Sequence, residues 1–268
     1  MEPGLMTDME VQPSLGDGPR PDLSEYRESA REQERIRNLF HLLPGKGGSA
    51  LDIGARDGYL SLRLTERYAS VTALDLEKPE INHPNVACVQ GDVVSIASED
   101  GNFDLVLCSE VLEHIPPALL PKACAEISRV SRGHVLIGVP FNQDTRYART
   151  TCPDCDGKNP PWGHVNSFDE KKLRSLFPGM RVQSIDYVGW NRERTNAFSA
   201  FLMDFAGNPF GTYNQEEGCI HCGSKLAPPE FRNPAQRLAS FIGHMVMRVQ
   251  SLLFPPQPNW IHILFSKI

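Results

Sequence analysis

Residues 50–61 read Ala50-Leu51-Asp52-Ile53-Gly54-Ala55-Arg56-Asp57-Gly58-Tyr59-Leu60-Ser61. An apolar run of strand length stops at Gly54, passes through a short polar turn, and resumes after Gly58 with helical spacing. Glycine permits a tight turn and the close approach of backbone to a ligand. The helix that follows opens with free backbone N–H groups aimed at whatever fills the turn. Working outward, Ala50–Ile53, Val71–Leu74, Val86–Val89, Phe103–Cys108 and Val135–Val139 are further runs of strand length. Between them, Tyr59–Tyr68 and Leu119–Val130 carry helical spacing. Strand and helix in alternation predict βαβ units and a parallel sheet covered on both faces, an α/β fold. A helix at Ser24–Leu43, capped by Ser24 and stopped by Pro44-Gly45, is expected before this unit. After it come a helix at Asp169–Phe177, a strand at Arg181–Val188, a helix at Ala235–Leu253 and a last strand at Trp260–Ser266.

Acids stand at three of the strand ends: Asp52, Asp75 and Asp92. Asp75 stands 21 positions after Gly54, a spacing that suits a carboxylate holding the two hydroxyls of a ribose. Asp92, after the third strand, could accept from the exocyclic amine of a base. A dinucleotide would call for G-x-G-x-x-G, which this turn does not provide. Three carboxylates would also repel a pyrophosphate. S-adenosylmethionine, with a sulfonium, an ammonium, a ribose, an adenine and one carboxylate, fits better.

The segments ALDIGARDGYLS, TALDLE, VQGDV and FDLVLCSEVLEHIP, in that order, resemble the class I S-adenosylmethionine-dependent methyltransferases. The resemblance covers about residues 35–140 well and 160–190 moderately. It implies a Rossmann-like seven-stranded sheet with helices on both faces and the last strand antiparallel. It also implies that Asp52, Gly54 and Gly58 form the methionine-side loop, that Asp75 takes the ribose and Asp92 the adenine amine. Ser109 and Glu110 would then lie beside the methyl group. One position departs from the family: Arg56 stands where a glycine is usual. Its side chain would crowd the cofactor, turn outward, or reach the ligand carboxylate.

Two C-x2-C pairs, Cys152/Cys155 and Cys219/Cys222, are separated by 64 positions from Cys155 to Cys219. Four thiolates suit tetrahedral Zn(II) and leave no open position, which makes the expected zinc structural. The first pair follows the fifth strand and the second follows the sixth. Both loops leave a parallel sheet at its carboxyl edge, so the knuckles can meet there and clip a cap insertion together. His164 and His221 are alternative ligands, and independent redox pairs are the competing reading. Cys88, Cys108 and Cys124 sit in apolar settings and read as core.

Methyl transfer needs an acceptor that is positioned and, if protonated, relieved of its proton. His114, in Glu110-Val-Leu-Glu-His114, and His164, in Trp162-Gly-His164, are the candidate catalytic bases; Glu113 is a weaker one. Trp190, Phe198, Phe201, Phe205, Phe210 and Tyr213 would line a substrate pocket or pack on the sheet. The apolar stripe of the 235–253 helix reads as core, with a dimer or membrane-surface face as the minority alternative.

The chain has 268 residues, 40% of them hydrophobic, and a net charge of -6. That is globular composition. The acidic balance argues against nucleic acid as a partner. No apolar run reaches the roughly 20 residues of a membrane span. The N-terminal residues carry no basic and apolar regions of a secretory signal, and a cytoplasmic location is expected. The expected organisation is a disordered tail at 1–22, a cofactor-binding core at 23–143, a first C-x2-C insertion at 144–166, a core continuation at 167–190, a cap at 191–258 and a last strand at 259–268. The expected function is a small-molecule methyltransferase using S-adenosylmethionine, monomeric or homodimeric, acting on an oxygen, nitrogen or carboxyl acceptor. An RNA or protein methyltransferase that reads its target with the zinc cap, and a non-catalytic cofactor-binding scaffold, are the alternatives.

Overall fold

A computed structural model describes residues 27–268. The expected tail at 1–22 and the Ser24 cap lie outside the described residues. Helix α1 (Ala30–Leu42) is instead capped by Ser29, whose side chain accepts from Glu32 N. Strand β1 (Gly47–Ile53) leads through the glycine turn into α2 (Tyr59–Leu64). That helix is shorter than its apolar spacing predicted, because Tyr68 already opens β2 (Tyr68–Asp75). There follow β3 (Val86–Gln90), β4 (Phe103–Ser109), α3 (Leu120–Val130) and β5 (Ser131–Pro140). A small hairpin, β6 (Thr150–Thr151) and β7 (Lys158–Asn159), leaves the carboxyl edge of the sheet. Then come α4 (Glu170–Leu176), β8 (Met180–Asn191), α5 (Ala197–Phe205), α6 (Pro234–Leu253) and β9 (Gln257–Lys267).

The main sheet has the order β3-β2-β1-β4-β5-β9-β8. β9 is antiparallel to both β5 and β8, and the pairs among β1 to β5 are parallel. Side chains alternate across a strand. Leu51 and Ile53 of β1, Val106 and Cys108 of β4, and Val135 and Ile137 of β5 therefore face α3 and α4, where they meet Ile127, Leu173 and Phe177. Ala50, Leu105, Leu107 and Leu136 point to the other face and meet Ile36, Leu39 and Phe40 of α1 and Leu64 of α2. Cys108 and Cys124 lie in this core, and Cys88 is half-buried.

The helix at 234–253 corrects the expectation of a core stripe. Its buried face is Ala239, Ser240 and Gly243, set against α5. A Cβ on Gly243 would come within 3.3 Å of Leu202 Cβ and the Ser199 carbonyl. Small residues let the two helices approach, so the large apolar residues point outward. The aromatic residues Trp190, Phe198, Phe201, Phe205 and Phe210 are likewise at least half exposed. Tyr213 is the exception, packed against Cys152, Cys219 and Leu226.

Candidate functional site

The carboxyl edge of the central strands gathers the predicted residues. Gly54 and Gly58 both hold left-handed backbone, at φ 75° and 80°. A Cβ on Gly54 would lie 2.4 Å from Val111, and one on Gly58 would lie 2.2 Å from Ile81, so both positions require glycine for conformation and for space. Asp75 Oδ2 accepts from the Arg56 N–H at 2.8 Å, which ties the end of β2 to the turn after β1. Asp52 is buried beneath the turn and accepts from Ser61 Oγ at 2.6 Å. Burial, reinforced by the charges of Asp75 and Asp57, pushes Asp52 up to about 7. Asp52, Asp57 and Asp75 are thus close enough at this turn to disfavour one another's charge, a repulsion that a cationic ligand would relieve. Asp92 is exposed at the end of β3, with Oδ1 accepting from Val94 N. The Arg56 side chain turns away to Glu216 of the cap, at 2.8 Å, and not into the loop.

Three non-glycine residues with positive φ follow the three central strands: Arg56 after β1, Glu110 after β4 and Asn142 after β5. Such backbone clusters where a fold holds functional groups. Glu110 reaches the Trp260 indole N–H, at 3.1 Å, with Oε2, and its Oε1 is buried without a partner. Burial raises its pKa despite the opposing charge of Arg35. Ser109 accepts from Arg35 Nη1 at 2.6 Å, and Arg35 is paired in turn with Glu32.

His114 and His164 stand 50 positions apart, yet their rings meet edge-on with centroids 4.7 Å apart. The backbone N–H groups of Val165 and Asn166 both donate to the Glu113 carbonyl. Asn166 Nδ2 adds bonds to the Leu112 and Ile115 carbonyls, stitching the 162–168 segment to the turn after β4. Both imidazoles are kept neutral. Burial lowers His114 to about 4, helped by the positive charge of Arg56, and lowers His164 to about 3, helped by His114. Glu113 is fully buried, and neither of its carboxylate oxygens has a hydrogen-bond partner. Glu113, His114 and His164 offer ligand atoms within 4.8 Å of one another, close enough to hold a metal ion. Gln143 Oε1 bonds His164 Nδ1 at 2.6 Å.

The four predicted cysteines also converge, every Sγ within 4.8 Å of the others. Cys152 to Cys222 and Cys155 to Cys219 each span 3.6 Å, too long for a disulfide. A tetrahedron of thiolates at about 2.3 Å from an ion has edges of about 3.8 Å. His221 is engaged with the Lys158 carbonyl and His164 lies with His114, so neither joins the thiols.

Sequence reasoning missed Arg35, Gln143 and Asn166. None belongs to a spaced motif; each acts through a partner at least 21 positions away. Another is His262, fully buried on β9 and bonded to Asn38 Oδ1.

Comparison with known proteins agrees with this geometry. The family model described as "Methyltransferase domain" matches residues 25–179. The ubiquinone biosynthesis O-methyltransferase of Albidiferax ferrireducens is 33% identical over 105 residues, covering 35% of this chain and 42% of its own length. The protein of the same name from Xanthomonas oryzae pv. oryzae is 37% identical over 122 residues, covering 41% and 49%. The chain thus spans less than half the length of these curated relatives. Among solved structures, the N-methyltransferase NodS of Bradyrhizobium japonicum, in complex with S-adenosyl-L-homocysteine, superposes with a TM-score of 0.52 at 14% identity, covering 92% of this chain and 93% of its own. The [4+2]-cyclase SpnF superposes with a TM-score of 0.52 at 15% identity, over 90% and 83%. The chain belongs to the methyltransferase-domain family, and its fold is that of the class I S-adenosylmethionine-dependent methyltransferases.

Proposed function

We propose that the chain moves the methyl group of S-adenosylmethionine to a hydroxyl of a small-molecule acceptor. The observation that carries this reading is the meeting of His114 and His164, two neutral imidazoles beside Glu113, at the same sheet edge as the glycine turn. Gly54, Gly58 and the acidic field of Asp52 and Asp75 fit the cofactor's methionine and ribose portions. Asp92 fits its adenine amine, and Ser109 lies at the end of β4, near the reacting carbon. The bound cofactor supplies the electrophilic methyl. The protein's work is to orient the acceptor oxygen in line; burial keeps His114 and His164 uncharged and so free to accept the hydroxyl proton, while also making each a weaker base than an exposed imidazole. The O-methyltransferase relatives support oxygen as the attacked atom.

A second reading of the same trio rests on the unpartnered Glu113 carboxylate. A buried carboxylate without donors is costly unless it is protonated or meets a cation. With the two imidazoles it would hold a divalent cation, to which an acceptor oxygen could bind. The cysteine cluster fits a structural zinc that fastens the β6–β7 hairpin to the 219–222 knuckle. Arg146 and Arg149 near it are paired with Asp144 and Asp204, which leaves little basic surface for RNA. The location expected for such an enzyme is the cytoplasm.

The test is titration with S-adenosylhomocysteine, followed by a methyl-transfer assay on hydroxylated aromatic acceptors with and without EDTA. Micromolar binding lost in Asp75→Ala supports the cofactor site. Turnover that is lost in His114→Ala and survives EDTA supports the base; loss with EDTA supports the cation. Binding without turnover on any acceptor would favour a scaffold.

A further inference from the structure

We infer that the outer face of α6 is a docking surface for an anionic lipid bilayer. The helix is amphipathic the wrong way round for a core element: Ala239, Ser240 and Gly243 face α5, while Phe241, Met245, Val249 and Leu252 face outward. Leu252 and Leu253 are 80% and 75% exposed, and Phe201 of the neighbouring α5 is 65% exposed. Exposed apolar surface of this extent on a soluble protein marks an interaction site.

Charge selects the occupant. The whole chain carries a net charge of -6, yet after Glu230 it has four basic and no acidic side chains. Arg237 and Arg248 stand exposed on α6 itself, and His244 stands between them. A second copy of the chain would set these arginines against each other with no acid on the helix to meet them. An anionic phospholipid surface meets both the arginines and the apolar stripe, as for helices that lie in the membrane interface. No described helix is long and apolar enough to cross a membrane, which leaves in-plane docking as the mode.

The placement also joins the surface to the site. Gln250 and Phe254, at the carboxyl end of α6, line a cavity of about 410 Å³ together with Gln143, the partner of His164, so docking through α6 would bring this cavity close to the lipid surface. The docking itself stands without the catalytic reading, because it needs neither cofactor nor turnover.

Vesicle sedimentation of the full chain, without cofactor, tests it. With about 30% phosphatidylglycerol in phosphatidylcholine, the protein is expected to pellet, and with phosphatidylcholine alone to stay in the supernatant. Phe241→Gln with Leu252→Gln should weaken binding at least about tenfold and leave thermal stability unchanged, since both side chains are exposed. Arg237→Gln should weaken it about fivefold and remove part of its salt dependence. Equal pelleting with both vesicles, or none with either, overturns the inference. So does a dimer in light scattering that the Phe241 and Leu252 substitutions dissociate without any vesicle binding, because the face would then belong to a second copy.

Discussion

The sheet and the cap treat the same kind of residue in opposite ways. In β4 and α3, periodic apolar residues are fully buried, and Leu105, Val106 and Ile127 have no exposed surface. In α5 and α6 an equally periodic set is exposed, and the buried positions are alanine, serine and glycine with the single large residue Met203. Periodicity establishes that a helix has two unlike faces; what covers the apolar one is decided by its neighbours. The sheet is held by continuous packing on both sides. The cap has local devices: capping boxes at Asn196 and Asn233 and the Arg149–Asp204 pair, beside four cysteines placed closely enough to hold a metal ion.

Metal removal should separate the two regions most sharply. Purified protein is expected to carry a zinc ion bound by the four thiolates, measured by atomic emission. Cys219→Ser should abolish it. Structural zinc contributes folding free energy directly, on the order of 10 kcal/mol in small zinc domains. The segments 144–166 and 206–230 should then become protease-sensitive, while the sheet, β8 included, keeps its cooperative transition. A variant without zinc whose cap resists protease as well as wild type would show that the cluster does not hold the cap.

Core truncation comes next. Ile127→Ala removes a fully buried side chain between α3 and the sheet and should cost about 2–5 kcal/mol by denaturant titration. Leu252→Ala, an equal or larger loss of apolar surface by sequence, should stay within about 0.5 kcal/mol. If Leu252→Ala proves as damaging as Ile127→Ala, the exposed face of α6 is covered in solution and the contrast between the regions fails.

These variants also mark what was legible in the sequence. The left-handed glycine turn, the places of Asp75 and Asp92 at strand ends and the pairing within each cysteine knuckle could be read because each depends on local spacing. The parallel sheet followed from alternation of runs, its seven strands with an antiparallel last one from the family resemblance, and the order β3-β2-β1-β4-β5-β9-β8 is seen in the structure alone. The α6 stripe was misplaced because burial there depends on a chain neighbour that supplies small residues and no apolar groove. Glu113 looked secondary to His114 because a carboxylate's lack of partners is a fact of three-dimensional packing. Arg35 reached Ser109 across 74 positions, beyond any local pattern.

Asp52 tests the turn itself through pH. Its pKa in the folded chain is raised from 3.8 to about 7, chiefly by burial. Below about pH 4 both folded and unfolded chains carry the proton, and nothing is lost. As pH rises toward about 7, the unfolded chain releases the proton while the folded one holds it, so stability falls. At about 1.4 kcal/mol per unit, the loss amounts to about 2–4 kcal/mol by neutrality. Asp52→Asn should flatten this part of the stability profile and stabilise the cofactor-free protein at about pH 8. The same change should weaken S-adenosylhomocysteine binding. A variant with unaltered pH dependence would mean that Asp52 ionises normally and that the turn is wetter than its burial indicates.

The smallest effect belongs to the bridge between the two regions. Arg56 and Glu216 join the turn to the cap, but their side chains are 51% and 48% exposed, and such pairs contribute at most about 1 kcal/mol. Glu216→Ala should therefore change stability by less than about 0.5 kcal/mol. Arg56 has a second, opposing contribution. Its backbone is left-handed, at φ 46°, a conformation that costs a non-glycine residue about 1 kcal/mol. Arg56→Gly should relieve that strain and stabilise the chain by about 0.5–1 kcal/mol despite the lost ion pair. The double variant should equal the sum of the singles. Stabilisation by Arg56→Gly together with negligible coupling to Glu216 would mean that the arginine is kept for a reason other than stability, and its place beside Asp75 makes the entry of the cofactor the property to measure. A coupling well above 1 kcal/mol would instead make the bridge a true fastener, and the cap would then be anchored to the sheet through the glycine turn as well as through its own cysteines.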